Sequence, residues 1–157
     1  MQTITPFLWF DGNAEEAMNH YVSIFKGSKI VSISRYRDGD RQGQVISGTF
    51  ELEGQRFMAI DGGPHYKFTP AISLYVNCVT QAEVDELWEK LTDGGEPGRC
   101  GWLIDKFGVS WQIIPEALGR LMGDPDREKA GRVVNAMLKM DKLDIALLRE
   151  AYEGKSD

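Results

Sequence analysis

Two kinds of hydrophobic pattern alternate along the chain, and the alternation occurs twice. Ile4 to Phe10 is an apolar run with aromatic weight that stops at Asp11-Gly12-Asn13, so it predicts a strand followed by a turn. Ala14, Ala17, Met18, Tyr21, Val22 and Phe25 then recur on one face at helical spacing. Asn13 stands as the cap, Glu16 follows three residues later as in a capping box, and Gly27 ends the helix. Lys29 to Arg37, Gln44 to Glu53 and Arg56 to Ile60 predict three strands, separated by the hairpin signals Asp38-Gly39-Asp40 and Glu53-Gly54.

After Asp61-Gly62-Gly63-Pro64 the same order begins again. Thr69-Pro70 echoes Thr5-Pro6 ahead of a strand over Ala71 to Val79. Thr80 and Glu83 form a capping pair for a second helix, with Val84, Leu87, Trp88 and Leu91 as its buried stripe and Gly94-Gly95 as its end. Strands follow at Gly101 to Ile104 and Val109 to Ile114, with a further one in the Gly-rich stretch before Trp102. The pattern therefore predicts two βαβββ modules, at about 5–62 and 69–114. From Glu116 onward only helical signals remain. Asp124-Pro125 reads as a cap with Pro at the first helical position, Ala130, Val133, Val134, Met137 and Leu138 form a stripe, and Leu143 to Tyr152 predicts another short helix. This apolar tail suits packing on the body of its own chain or on another subunit.

Composition narrows the function classes. With 157 residues the chain is long enough for one domain, 1–157, with its own core, and needs neither a disulfide framework nor a structural metal. A net charge of −6 without a Lys or Arg run gives no electrostatic footprint for nucleic acid or an anionic membrane. Met1 to Phe10 lacks the basic start of a signal peptide and no stretch is long and apolar enough to span a bilayer, so a cytoplasmic location is expected. Cys78 and Cys100 read as free thiols.

Several stretches together resemble a known family. They are Pro6-Phe7-Leu8-Trp9-Phe10-Asp11-Gly12-Asn13-Ala14-Glu15-Glu16-Ala17, the helix end Tyr21 to Phe25, Asp105-Lys106-Phe107-Gly108-Val109-Ser110-Trp111-Gln112, and Leu143-Asp144-Ile145 in the tail. They resemble the PhnB-like branch of the glyoxalase, bleomycin-resistance and extradiol-dioxygenase superfamily, the vicinal oxygen chelate proteins. The resemblance implies an α+β fold in which two βαβββ modules form curved mixed sheets around a cleft, commonly within a homodimer, here with a helical extension at 116–157. It also implies four places for His or Glu ligands to a divalent metal, in the first and last strands of each module. In this chain those places fall near Pro6, Asp61, Ala71 and Gln112. Only Asp61 is an anionic donor, Pro6 and Ala71 offer no side-chain donor atom, and the neutral amide of Gln112 is a poor ligand for transition metals. No metal and no other cofactor is expected.

The remaining candidates follow from strand faces. In Ala71 to Asn77, Ile72, Leu74 and Val76 share one face, while Ser73 and Tyr75 share the other. In the last strand Val109, Trp111 and Ile113 alternate with Ser110 and Gln112. With the apolar faces against the helices, Ser73, Tyr75, Ser110 and Gln112 line the cleft that the resemblance implies, a set suited to orienting a neutral or weakly polar ligand. Trp9, Phe57 and Trp102 are candidates for its floor. His65, after Gly62-Gly63-Pro64, is placed to reach its mouth as a base or a substrate contact, whereas His20 reads as a polar residue beside the apolar face of the first helix.

PhnB-like chains often carry the description 3-demethylubiquinone methyltransferase, but a cofactor loop would need a strand, a Gly-rich turn and a helix in direct succession. Neither Asp61-Gly62-Gly63-Pro64 nor Asp93-Gly94-Gly95 has that context. The expectation is a metal-free cleft protein, a homodimer, that sequesters or transforms a small organic molecule. The alternatives are a metal-dependent lyase, isomerase or dioxygenase that uses Asp61, and a protein without ligand whose paired sheets serve dimerisation.

Overall fold

A computed structural model describes residues 2–155. Met1, Ser156 and Asp157, the ends of the expected 1–157 domain, lie outside the described residues. The chain forms two compact units, one ending at Phe68 and one beginning at Thr69.

The first unit contains β1 (Phe7–Phe10), α1 (Ala14–Ile24), β2 (Lys29–Arg35), β3 (Val45–Leu52) and β4 (Gln55–Asp61). Its sheet has the order β1-β4-β3-β2, so the last strand lies between the first strand and the β2–β3 hairpin, parallel to β1. Helix α1 covers the face that carries Phe50 and Phe57. Tyr21 stacks on Phe50, whose ring stacks on Phe57 with centroids 5.3 Å apart. Phe57 is thus core beneath the helix and no part of a ligand floor.

The expected cap of α1 is replaced. Asn13 makes no side-chain capping bond, and the Asp61 carboxylate accepts the Ala14 amide at 2.8 Å instead. A carboxylate at the positive end of a helix satisfies an orphan amide and the helix dipole together, for about 1 kcal/mol. The contact arises because β4 ends beside the start of α1, which local sequence does not reveal.

The second unit repeats the plan with β5 (Ser73–Cys78), α2 (Gln81–Thr92), β6 (Glu96–Pro97), β7 (Trp102–Ile104) and β8 (Ser110–Pro115), in the order β5-β8-β7-β6 with β5 and β8 parallel. The two mixed sheets with their helices make the fold α+β. At α2 the expected cap is present, Thr80 Oγ1 accepting the Glu83 amide at 3.2 Å. Ile72 falls outside β5 and is 79% exposed, because the strand begins one residue after it.

A buried carboxylate holds the hairpin that leads into β8. Asp105 is 2% exposed and accepts the Phe107 amide at 2.8 Å, the Val109 amide at 3.0 Å and the Trp111 indole N–H at 2.8 Å. The loop and the following strand are therefore fixed to one another, and Trp111 and Ile113 are committed to the buried face.

The tail forms α3 (Glu116–Met122), α4 (Arg127–Met137) and α5 (Ile145–Glu153). It packs on its own unit: Leu118, Val133, Leu143 and Leu148 form a buried cluster with Ile114 of β8. Gln81 at the start of α2 ties it down, donating to the Leu143 carbonyl at 3.0 Å and accepting the Ile145 amide at 2.8 Å. Gly101, at φ 84°, lies so near Ile114 and Leu143 that a Cβ would stand 2.9 and 3.0 Å from their methyls. The cap of α4 is Asp126, two residues after the expected Asp124, because Asp124 instead accepts the Asp126 amide and the Tyr152 hydroxyl. Leu138, expected in the stripe, is the C-cap residue of α4 and is 55% exposed.

Candidate functional site

Strand register decides which candidates meet. In the second unit Ser73 pairs with Ser110 and Tyr75 with Gln112, while Trp102 pairs with Gln112 from the other side. Paired residues share a sheet face, so these five side chains lie on one face, opposite Leu74, Trp111 and Leu103. Gln112 Nε2 donates to Ser73 Oγ at 3.0 Å, which joins the two strands through their side chains. Tyr75 is 60% exposed and Trp102 half-buried, whereas Ser110 is 2% exposed and its hydroxyl has no hydrogen-bond partner among the described residues. Beyond Gln112 the same face continues to Ile114, where the tail cluster covers it. The result is a polar group of two hydroxyls and an amide with aromatic rings beside it and a wall of tail helices at one end.

The candidates of the first unit are distributed differently. Trp9 pairs with Ile60, whereas Asp61 pairs with Phe10, so Trp9 and Asp61 point to opposite faces of the sheet. Trp9 is held by the loop after β4: its indole N–H donates to the Gly63 carbonyl at 2.8 Å and its ring meets Tyr66 edge-on at 5.0 Å. Any Cβ at position 62 would stand 2.3 Å from that ring, so only glycine fits there. His65 is exposed in the same loop. His20 lies on α1 with its ring tilted against Tyr21 at 5.9 Å.

A cavity of about 450 Å³ in this unit is absent from the sequence reading. It lies between the start of α1 and the β2–β3 hairpin, and Asp11, Glu15, Arg35, Arg41 and Asp61 are among its lining residues. The Glu15 carboxylate takes two bonds from the Arg35 guanidinium, at 2.6 and 3.0 Å. These bonds hold the Glu15 carboxyl below its usual range, against a smaller opposing effect of burial, and push Arg35 further up. Twenty residues separate the partners, and nothing local in the sequence signals the pair.

A divalent metal does not fit the residues at the four expected places. Asp61 is engaged as the cap of α1, the Gln112 amide donates to a hydroxyl, and Pro6 and Ala71 have no donor atom. Among the described residues no group of three or more His, Cys, Asp or Glu side chains is arranged to hold a metal ion.

The sequence matches a family model described as 3-demethylubiquinone-9 3-methyltransferase over residues 2–114. The chain belongs to that family. It resembles the PhnB protein within that family, and the folds agree. A Bacillus cereus structure named for the PhnB protein and 3-demethylubiquinone-9 3-methyltransferase is 48% identical over 73% of this chain and 99% of its own, with a TM-score of 0.69. A Pseudomonas aeruginosa protein shares the fold at 23% identity and a TM-score of 0.64, covering 73% of this chain and 98% of its own. A Frankia domain named for the glyoxylase, bleomycin-resistance and dioxygenase proteins is 16% identical over 71% of this chain and 94% of its own, at a TM-score of 0.45. None of the curated proteins matches the sequence. The family match stops at Ile114, so the tail lies outside it. Leu143-Asp144-Ile145 has a local role instead: Leu143 is in the tail cluster, and Asp144 caps α5 by accepting the Leu147 amide at 3.0 Å.

Proposed function

We propose that the chain binds a small, neutral or weakly polar organic molecule on the face that carries Ser73, Tyr75, Ser110 and Gln112, and does so without a metal. The observation that carries this reading is the Gln112–Ser73 hydrogen bond beside an exposed Tyr75 ring and a buried Ser110 hydroxyl, polar groups set next to aromatic surface as in a small-molecule site. On this reading the ligand is sequestered or transformed in a cytoplasmic homodimer, and Trp102 contributes apolar surface to it.

The methyl transfer in the family's description finds no support in the local structure. Gly62-Gly63 follows β4 but leads to β5 without a helix, and Gly94-Gly95 follows a helix, so neither is a strand-to-helix loop that would cradle a nucleotide-like cofactor. A metal-dependent isomerase, lyase or dioxygenase would need Asp61 released from the start of α1.

Thermal-shift screening over small neutral hydrophobic compounds, with phosphonate-like anions as the contrast, tests the reading, because a ligand at a hundred times its dissociation constant adds about 2.7 kcal/mol of stability. Tyr75→Ala and Gln112→Ala should each abolish the shift while the fold survives; an unchanged shift in both variants places the site elsewhere. Metal analysis of the purified protein tests the other side. One tightly bound divalent ion per chain, lost in Asp61→Asn, would overturn the metal-free reading.

A further inference from the structure

Ser110 is the one residue of the Ser73–Gln112 face whose placement makes little sense for the fold alone. Its hydroxyl is shut off from water and makes no hydrogen bond among the described residues. A buried hydroxyl in that state destabilises the folded chain, and an alanine would occupy the same position with nothing left unpaired. Two further polar groups flank it: Ser73 beside it across the parallel pair, and Gln112 two residues along the strand.

Hydrogen-bond direction gives the chemistry of the missing partner. Ser73 Oγ accepts from Gln112 Nε2, which leaves its own proton to donate; the Gln112 amide has a second N–H, and the Ser110 hydroxyl has a proton as well. The three groups share one sheet face and each has a proton to donate, so an acceptor is the kind of group that could engage all of them. The other side chains on this face include Tyr75, Asn77, Trp102, Ile104 and Ile114, with no Lys or Arg on any of its strands. A carboxylate or phosphate would lack a counter-charge there, while the carbonyl of an uncharged molecule would not.

We propose that Ser110, with Ser73 and Gln112, recognises the carbonyl oxygen of a neutral ligand whose flat apolar body lies along Trp102 and Tyr75. This rests on the reading that the face binds a small molecule, and adds the class of molecule and the residue that selects it. Gln112 is the group that moves to admit the carbonyl, because its bond to Ser73 is a neutral one that the incoming oxygen replaces.

The test is a titration of the full chain with two probes of similar shape, acetophenone and ethylbenzene, followed by the backbone and side-chain amide resonances. Acetophenone is expected to shift Ser110, Ser73 and the Gln112 side-chain amide, and to bind about tenfold more tightly than ethylbenzene, the weight of one net hydrogen bond. Ser110→Ala should unfold at the same temperature or higher and bind both probes equally. Equal binding of the two probes by the wild-type chain overturns the carbonyl inference and leaves the binding face intact; this comparison needs no variant to fold. Retention of the tenfold preference in Ser110→Ala, or a clear loss of stability in it, assigns the hydroxyl a different role and also overturns the inference. If neither probe moves a resonance of this face up to its solubility limit, both the inference and the binding face fall.

Discussion

Replacing Asp105 with alanine should test how the binding face is held in register. The substitution leaves three donors without their acceptor: the Phe107 amide, which is part-buried, and the Val109 amide and Trp111 indole, which are buried. Each lost charge-assisted bond that strands a buried donor costs about 1.5–2 kcal/mol, and the part-buried one less, for a total of about 4 kcal/mol. In a chain of this size that lowers the melting temperature by roughly 8–16 °C. Asp105→Asn keeps the oxygen that serves the two backbone amides and turns an NH₂ towards the indole, so it should lose only about 2 kcal/mol. Urea unfolding followed by circular dichroism measures both variants. A double-mutant cycle with Trp111→Phe isolates the carboxylate–indole term, expected at about 2 kcal/mol. The reasoning is refuted if Asp105→Ala lies within about 1 kcal/mol of the wild type, or if the cycle shows no coupling. Because the hairpin sets the pairing of Ile104 with Ser110, the alanine variant should also lose any ligand-induced thermal shift.

Four other outcomes follow from the structure. Asp61→Ala should cost about 1 kcal/mol through loss of the α1 cap, and Asp61→Asn less, since an amide oxygen still accepts the Ala14 N–H; equal stability of all three in urea would remove the capping role. Gly62→Ala should destabilise the first unit by about 1–3 kcal/mol and move the Trp9 indole proton resonance, because the new methyl meets the ring; an unmoved resonance would contradict the packing. Acid should loosen the tail. The Asp85 carboxyl is held below its usual range first by the Gln81 amide and then by Lys142, so its contribution is present above the unfolded-state pKa and is lost as pH falls through the lower folded-state value. Protection of the Ile145 amide from hydrogen exchange, taken relative to its intrinsic rate at each pH, should therefore fall in acid in the wild type, and already be lower at neutral pH in Gln81→Ala, which removes both bonds to the tail.

The repeated element order was legible because the period changes from two to 3.6 and back at residues with strong turn chemistry. Gly27, Gly54 and Gly94 all lie at φ above 60° where the patterns break. The Ser73, Tyr75, Ser110 and Gln112 face was legible for the same reason, since strand alternation alone separates it from Leu74 and Trp111. What could not be read were contacts that depend on where strands end in space. Asp61 differs from Ile60 by one position, and that position moves its carboxylate from the Trp9 face to the start of α1. The Arg35–Glu15 pair, the cavity it borders and the docking of the tail through Gln81 likewise join segments far apart in sequence. The separate short helix α3 was hidden within a stretch that is helical in character throughout.

The strand order has a consequence for synthesis. In each unit the strand made last occupies a central place, β4 between β1 and β3, and β8 between β5 and β7. A nascent chain can close the β2–β3 hairpin early, yet β1 waits with no neighbour to pair with until β4 has left the ribosome, roughly 3–10 s later at ordinary elongation rates. During that interval Phe7 to Phe10 is an apolar strand with both edges open, which is the vulnerable moment for mispairing with another nascent copy.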